Sequence, residues 1–169
     1  NLTNADLTGA ILTDAVLSDA NLTGANLTGA NLTGANLTST VLNGANLTGA
    51  DLTGATLTTI VIDGDTNLTS AILVGADLGG DDLTGVDLEK ADLRGADLVG
   101  TDLETAILTG ANLGKNGDDA TDLRGATLTG AKLGKADLSG ANLGKNGDTA
   151  ANLTNADLTG AILTDAVLS

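Results

Sequence analysis

The side chains of this chain best suited to binding a ligand are the oxygen donors of three short segments rich in Asp, Asn and Gly. The first is 63–67 (DGDTN), and the others are 116–119 (NGDD) and 146–149 (NGDT). Alternating oxygen ligands suit Ca²⁺, a hard cation that binds about six to eight oxygens. The candidate calcium ligands are Asp63, Asp65, Asn67, Asp118, Asp119 and Asp148.

The same segments also have a purely structural interpretation. Leu68 occupies the sixth position of the first segment, where a calcium loop of the EF-hand type has Gly, and no Glu follows at the twelfth. Gly, Asn and Asp are also the ordinary residues of tight turns. The sequence therefore leaves two interpretations open, plain turns and loops that bind calcium.

The segments interrupt a five-residue pattern, written three times without variation in 20–34 (ANLTG-ANLTG-ANLTG). On a helix the leucines of this pattern would not form a stripe, and on a straight strand they would alternate between faces. They can share one interior only if the chain turns a corner about every five residues. Gly ends each unit and tolerates the positive φ that such a corner needs. The pattern predicts a β-solenoid with Leu and Ala inside and Asn and Thr outside.

The central position of each unit holds Leu or Ile throughout, except at Asp118 and Asp148, and one residue is inserted between Ile62 and Leu68. A lone buried carboxylate is costly, so we expect all three interrupted segments to protrude as loops while the flanking leucines stay in the core. Unusual residues recur about every twenty positions at the small inward slot, which predicts four units per coil and about eight coils. These residues are Thr40, Ile60, Asp81, Thr101 and Thr121.

The repeat resembles A-(D/N)-L-x-x, the pattern of the pentapeptide-repeat family, over essentially the whole chain, although Phe occurs at none of its centres. The resemblance implies an all-β fold, a right-handed quadrilateral β-helix formed as one continuous solenoid over 1–169. Asp81 should then point inward between Ile60 and Thr101. We expect a hydrogen bond to Thr101 or to backbone N–H groups there, with a bound ion or an outward-flipped corner as alternatives.

Composition argues against several functional classes. The chain contains no His, Cys, Tyr, Phe, Trp, Met or Pro, so the core is aliphatic and no disulfide stabilises it. Without His or Cys, and with no base beside its Ser residues, the sequence predicts no enzyme. Its apolar residues are spread too evenly for a membrane span.

The net charge of −15 is uneven, because residues 1–89 carry eleven acids and no base while 90–169 carry eleven acids and seven bases. The charge disfavours nucleic-acid binding and is typical of a solvated surface. The alternative is DNA mimicry, which the family resemblance connects with topoisomerases such as DNA gyrase. One charge per about 2.7 Å of rod is sparser than the ~1.7 Å of duplex DNA.

Residues 1–18 recur without change as 152–169, an offset of 151 residues. We interpret the chain as one long repeat plus the start of the next, a window of a longer or end-to-end polymerised chain. Counting thirty five-residue slots plus the inserted residue gives seven and a half coils, or about 36 Å at ~4.8 Å per coil. That count predicts a rotation near 180° per long repeat, with the loops at Asp118 and Asp148 on opposite faces.

The sequence thus predicts a structural protein, a segment of an elongated fibre outside a bacterial cell or at its surface. Its partners would be copies of itself, joined end to end or covalently, with lateral bundling through the unbroken faces. The alternative is a cytoplasmic DNA mimic that acts on a topoisomerase.

Overall fold

The computed structural model describes residues 1–168, which form a four-sided rod wound from successive coils. Almost all of its β structure consists of isolated parallel bridges, spaced five residues apart along the chain and joining each coil to the next. The two strands of more than one residue, β1 (Lys145–Asn146) and β2 (Thr149–Ala150), form a small antiparallel hairpin outside the wall. We number the coils as 1–20, 21–40, 41–60, 61–81, 82–101, 102–126, 127–151 and 152–168.

Four faces are defined by the outward residue that precedes each central leucine. Face 1 carries Asn1, Asn21, Val41, Val61, Asp82, Asp102, Thr127 and Asn152. Face 2 carries Asp6, Asn26, Asn46, Asn67, Asp87, Ile107, Lys132 and Asp157. Face 3 carries Ile11, Asn31, Asp51, Ile72, Asp92, Asn112, Asp137 and Ile162. Face 4 carries Val16, Asn36, Thr56, Asp77, Asp97, Asp122, Asn142 and Val167.

A β-turn forms each corner. In a typical unit the Ala25 N–H donates to the Leu22 carbonyl at 2.9 Å, and Gly24 between them has a φ of 65°. Positive φ at the third turn position alone is the pattern of a type II turn, which favours Gly. The predicted role of Gly is confirmed, and at some corners Asn4, Asp14 and other non-glycine residues adopt the same conformation.

The core is a column of stacked leucines with small residues between them. Leucines of the inner coils, such as Leu27 and Leu88, are fully buried, and so are the alanines of the inward slot, such as Ala30. Burying one Leu contributes about 1.5–3 kcal/mol, and the terms add along the rod because each coil packs on its neighbours. Among the described residues, the leucines of coils 1 and 8 are only partly buried, and Leu168 is exposed, since each of these coils packs on one neighbour.

Two of the three interrupted segments leave the wall as expected. The segment 63–67 does not, because Thr66 is buried and Asn67 keeps its wall bridges to Asn46 and Asp87, so the inserted residue is taken up in a turn at the corner. Asp118 and Asp148 are exposed, while the flanking Leu113 and Leu123 are fully buried. In the first loop Asn116 and Asp119 exchange two backbone hydrogen bonds, at 2.8 and 3.1 Å, across Gly117 and Asp118. Positive φ at Gly117 but not at the following residue marks a type II′ hairpin turn, and the second loop repeats it at Gly147.

The loops change the register of the coils in a way that the five-residue count does not detect. Each loop removes one whole unit from the wall, so Asp122 bridges Asp97 instead of Asp102, and Thr121 moves to a different corner from Thr101. The predicted stacking of Thr121 on Thr101 is therefore wrong, as is the placement of the loops on opposite faces. The first loop leaves between faces 3 and 4, and the second between faces 4 and 1, so they occupy adjacent corners.

Because of the same loops, the predicted rotation near 180° per long repeat is also wrong. On face 3, seven bridges lead from Ile11 to Ile162, which are 151 residues apart. Four of these bridges join residues 20 apart, one joins residues 21 apart, and two join residues 25 apart. One long repeat is therefore seven whole coils, about 34 Å. Residues 1–17 and 152–168 lie on the same faces with no half-coil rotation, and the match of Ser169 to Ser18 lies outside the described residues.

Candidate functional site

The outward surface is a ladder of Asn or Asp side chains, many of which accept hydrogen bonds from the residue two positions later. Asn26 Oδ1 accepts the Thr28 N–H at 3.2 Å and the Thr28 hydroxyl at 2.6 Å. Asp51 accepts the same pair of bonds from Thr53, at 3.0 and 2.6 Å. These short-range bonds satisfy the polar groups within each unit, so one oxygen of each such side chain is already engaged by its own corner.

The candidate calcium ligands lie at three separate corners. Asp63, Asp65 and Asn67 are near the corner between faces 1 and 2 in coil 4, and the other candidates lie on the two loops. Asp63 Oδ1 is engaged, since it accepts the Gly44 N–H at 2.9 Å and the Thr66 hydroxyl at 3.1 Å. Among residues 1–168, no three acidic, His or Cys side chains are grouped to hold one metal ion. Calcium binding stays a prediction of the sequence. The hydrogen bonds that Asp63 accepts show that its carboxylate stabilises a turn.

Asp81 is the one acid in the core of the described rod, with 5 % of its surface exposed. The predicted inward orientation is confirmed by this burial, and the backbone N–H groups of Thr59 and Ile60 act on the carboxyl in the direction that lowers its pKa. Thr101 is not its partner, since its hydroxyl donates to the Leu78 carbonyl at 2.8 Å. Within residues 1–168, Asp81 Oδ2 has no partner.

The surroundings of Asp81 shift its protonation. Burial raises the pKa of this carboxyl from 3.8 to about 6, although the two N–H groups act in the opposite direction. Nearby, in the described part of face 1, no bridge joins Val61 to Asp82, so the ladder is interrupted between coils 4 and 5. The inserted residue, at the corner between faces 1 and 2, and the buried carboxyl, at the corner between faces 4 and 1, thus lie on either side of the interrupted part of face 1.

Charge is concentrated in the middle of the rod. Coil 5 presents an Asp on all four faces, and faces 4 and 1 continue the series into the adjoining coils with Asp77 and Asp102. On face 3, Arg94 makes a two-bond pair with Asp92 at 2.6 and 2.8 Å, and this hydrogen bonding lowers the pKa of Asp92. The acids bordering faces 4 and 1 therefore form a short strip, and the paired acid of face 3 is separate from it.

A shallow cleft of about 310 Å³ lies on face 3 beside the first loop. Its wall includes Arg94, Lys115, Asp137 and Asp165, so positive and negative side chains alternate around it. Ser139 also lines the cleft, but the described residues include no His to act as its base. The cleft therefore shows no set of groups arranged for catalysis.

The family model for pentapeptide repeats matches the sequence in eight copies. The matched residues are 1–38, 20–58, 64–98, 87–115, 120–144 and 149–169. The chain belongs to the pentapeptide repeat family. Its fold is the right-handed quadrilateral β-helix of that family, which is generally non-enzymatic. None of the curated proteins compared matches the sequence.

Two solved structures extend the comparison. HetL, a pentapeptide repeat protein from the cyanobacterium Nostoc sp. strain PCC 7120 involved in heterocyst differentiation regulation, is 45 % identical over 98 % of this chain and 71 % of its own, with a TM-score of 0.79. A pentapeptide repeat protein of the Arabidopsis thaliana thylakoid lumen is 33 % identical over 55 % of this chain and 64 % of its own, with a TM-score of 0.53. Residues 1–168 contain no helix long and apolar enough to cross a bilayer.

Sequence reasoning missed how many residues each loop removes from the wall, although the sequence carries a signal for it. The unit 132–136 (KLGKA) turns its corner at Lys135, which has a φ of 60°. The segments 112–115 and 142–145 both read NLGK, and the same corner would be completed if Thr121 or Ala151 followed directly. The five residues in between, NGDDA and NGDTA, are the insertions.

Proposed function

We propose that this chain is a structural segment of a long pentapeptide-repeat rod, built from 151-residue units that follow one another without rotation. The observation that carries the proposal is the seven-coil spacing between the two identical segments. If the duplicated segments were separated by a non-integral number of coils, each unit would be rotated about the rod axis relative to the unit before it. Here the second copy of 1–17 lies on the same faces as the first, so every unit presents its two loops at the same two adjacent corners.

The surface of the rod supports this proposal. On the faces of the rod, outward Asn and Asp side chains accept hydrogen bonds from Thr residues of their own unit. Among the described residues, the chain offers no grouped catalytic or metal-binding side chains. Faces 2 and 3 meet at a corner with no loop, which leaves that edge open to lateral bundling. A location outside a bacterial cell or at its surface remains part of the proposal.

The proposal is tested by joining residues 1–151 directly to a second complete chain. We expect one straight rod whose maximum dimension in solution scattering exceeds that of the single chain by about 34 Å. Electron microscopy should place the loops of both units along the same two adjacent edges, on either side of face 4. Two bodies inclined to each other, or loops on opposite edges, would contradict the in-register repeat.

A second candidate is a regulatory protein that binds a DNA-binding partner, and the acidic strip favours it. Asp77 and Asp97 on face 4 lie beside Asp82 and Asp102 on face 1, in consecutive coils. The related HetL is involved in regulation. The strip spans only about three coils, roughly 10 Å between its ends, which is short for a mimic of duplex DNA. Salt-sensitive inhibition of DNA gyrase that is lost on changing Asp97 and Asp102 to Asn would support this candidate over the fibre.

A further inference from the structure

Three Asn residues of the chain are followed directly by Gly, and they lie in two different settings. Asn116 and Asn146 begin the turns of the two loops, and both are exposed. Asn43 lies in the wall, and its side-chain oxygen Oδ1 is buried. Asn is a chemically labile residue, and a following Gly has no Cβ to hinder the approach of its backbone nitrogen to the Asn side chain. The surroundings of each pair therefore decide whether it reacts.

In each loop the backbone nitrogen of the glycine is available. The first turn is closed by the two backbone bonds between Asn116 and Asp119, and within residues 1–168 the N–H of the intervening Gly117 donates to no acceptor. The second turn is closed in the same way by β1 and β2, and in that part of the chain the Gly147 N–H also donates to none. An exposed hairpin with so few bonds opens at low cost, so its Asn side chain can rotate toward the glycine nitrogen.

The wall holds the third pair in the opposite state. The Gly44 N–H, next to Asn43, donates to Asp63 Oδ1 at 2.9 Å and to Thr66 Oγ1 at 3.2 Å. Thr66 is buried, and its hydroxyl donates in turn to the Leu42 carbonyl at 2.9 Å. The nitrogen that would attack is thus held by two acceptors, and the backbone rotation that the reaction needs would break bonds between coils 3 and 4.

The Asn side chains of the outward ladder are protected for a related reason. Asn26, for example, has its Oδ1 engaged by the N–H and the hydroxyl of Thr28. The nitrogen that follows it belongs to Leu27, whose N–H donates to the Asn46 carbonyl at 2.7 Å. Both reacting groups are therefore held in the wall, and only the two loops present an Asn and a glycine nitrogen that are able to meet.

We propose that Asn116 and Asn146 are sites of spontaneous deamidation, so that the loops of the rod change chemically with time while its wall does not. In the first loop the Gly117 nitrogen loses its proton and forms a bond to Asn116 Cγ, and the side-chain amide nitrogen leaves as ammonia. The product is a five-membered succinimide ring. Water then opens the ring at one of its two carbonyls, which gives an aspartyl or an isoaspartyl residue. Water is the only co-reactant.

Each conversion alters a loop without reaching the core. Both products add one negative charge, and the isoaspartyl product also adds a methylene to the main chain, which breaks the pairing across the turn. The second loop leaves at the corner between faces 4 and 1, which the acidic strip borders, so conversion of Asn146 adds a charge beside that strip. Leu113 and Leu143, which precede the loops, are buried in the wall. The melting temperature should therefore change little as the loops convert.

Peptide mapping of the full chain by mass spectrometry, after timed incubation at mildly alkaline pH, tests the proposal. We expect Asn116 and Asn146 to convert at similar rates, each at least about tenfold faster than Asn43, because even a modest opening free energy slows a reaction by that factor. In the chain unfolded by urea, all three sites should react alike. Equal rates in the folded chain would overturn the proposal. So would an Asn43 that stays slow after unfolding, because its protection would then not come from the fold.

Variants of the full chain separate the causes. Asn116→Gln should abolish conversion in the first loop and leave the rate at Asn146 unchanged, because a Gln side chain would have to close a larger ring. Asp63→Ala combined with Thr66→Val removes both acceptors of the N–H that follows Asn43. This double variant should raise the rate at Asn43 and leave both loops unchanged, with a retained cooperative melting transition as the folding control. A folded double variant in which Asn43 stays slow would show that the wall bonds do not protect it and would overturn the assignment.

Discussion

Coils 2 and 3 differ from coils 6 and 7 almost everywhere except in the core. Residues 21–60 contain one acid, Asp51, with no Lys or Arg, and no loop leaves their wall. Residues 102–151 contain seven acids, five bases and both loops. Yet Leu32 in the first region and Leu123 in the second are equally buried, at 0 % exposure. The comparison teaches that the inward column is the same in both regions, while the outward side chains and the length of two corners differ.

The largest expected effect tests whether the two cores are equivalent. Leu32→Ala and Leu123→Ala should each destabilise the chain by about 2–5 kcal/mol, because both remove a fully buried side chain from the same kind of column. Denaturant unfolding monitored by circular dichroism measures the difference. A much smaller loss for Leu123 would show that the loop-bearing coils are packed more loosely.

A smaller effect, a pH-dependent change in stability, should come from Asp81, which lies at the corner between coils 4 and 5. Because the pKa of Asp81 is raised to about 6 in the folded chain and is 3.8 for the free side chain, folding favours its protonated form. That stabilisation is complete below about pH 4 and is lost as the pH rises through 6. Relative to Asp81→Asn, the melting temperature of the natural chain should fall by about 3–6 °C between pH 4 and 7.

The Asp81→Asn control matters because other groups respond in the opposite direction. Asp92, whose pKa is lowered by its bonds to Arg94, loses its stabilisation on acidification in both proteins, so that contribution cancels. A melting difference between the two proteins that does not change with pH would show that the Asp81 carboxyl does not titrate in this range.

Removing a loop should cost little and should leave the register intact. Deleting 116–120 joins Lys115 to Thr121 and recreates the corner seen at Lys135, so we expect a stability change below about 1 kcal/mol. The control is deletion of 25–29, also five residues, which removes a wall unit of coil 2. Only this control should turn coil 1 by one face relative to coil 8, and electron microscopy of the joined double unit would detect the rotation.

The smallest effect concerns the outward ladder. Arg94 in coil 5 and Thr33 in coil 2 occupy the same slot of face 3, and each donates to the side chain two residues earlier. Replacing either with Ala should destabilise the chain by less than about 1 kcal/mol, because such exposed bonds are largely replaced by water. Thermal unfolding would measure both, and a loss above 2 kcal/mol, roughly the scale of a core residue, would contradict the comparison.

Much of the fold could be predicted from the sequence because one short period dictates it. The corners with positive φ, the buried Leu and Ala columns and the inward orientation of Asp81 all follow from the five-residue unit. The candidate calcium ligands were predicted in three separate segments, and the fold keeps these segments at three separate corners, with no three acidic side chains of residues 1–168 grouped around one point. Composition does not report which coil and corner a residue occupies, so it could not decide whether these oxygens meet.

The sequence by itself determined that residues 1–18 recur 151 positions later and that Asp118 and Asp148 leave the core. Only the tertiary structure decided that this offset is seven coils. The physical reason is that a loop of five residues preserves the phase of a five-residue period, while its coil keeps all four faces and becomes 25 residues long instead of 20. Residues such as Asp122 therefore keep their inward or outward orientation but move to another face, and only the hydrogen bonds between coils record that move.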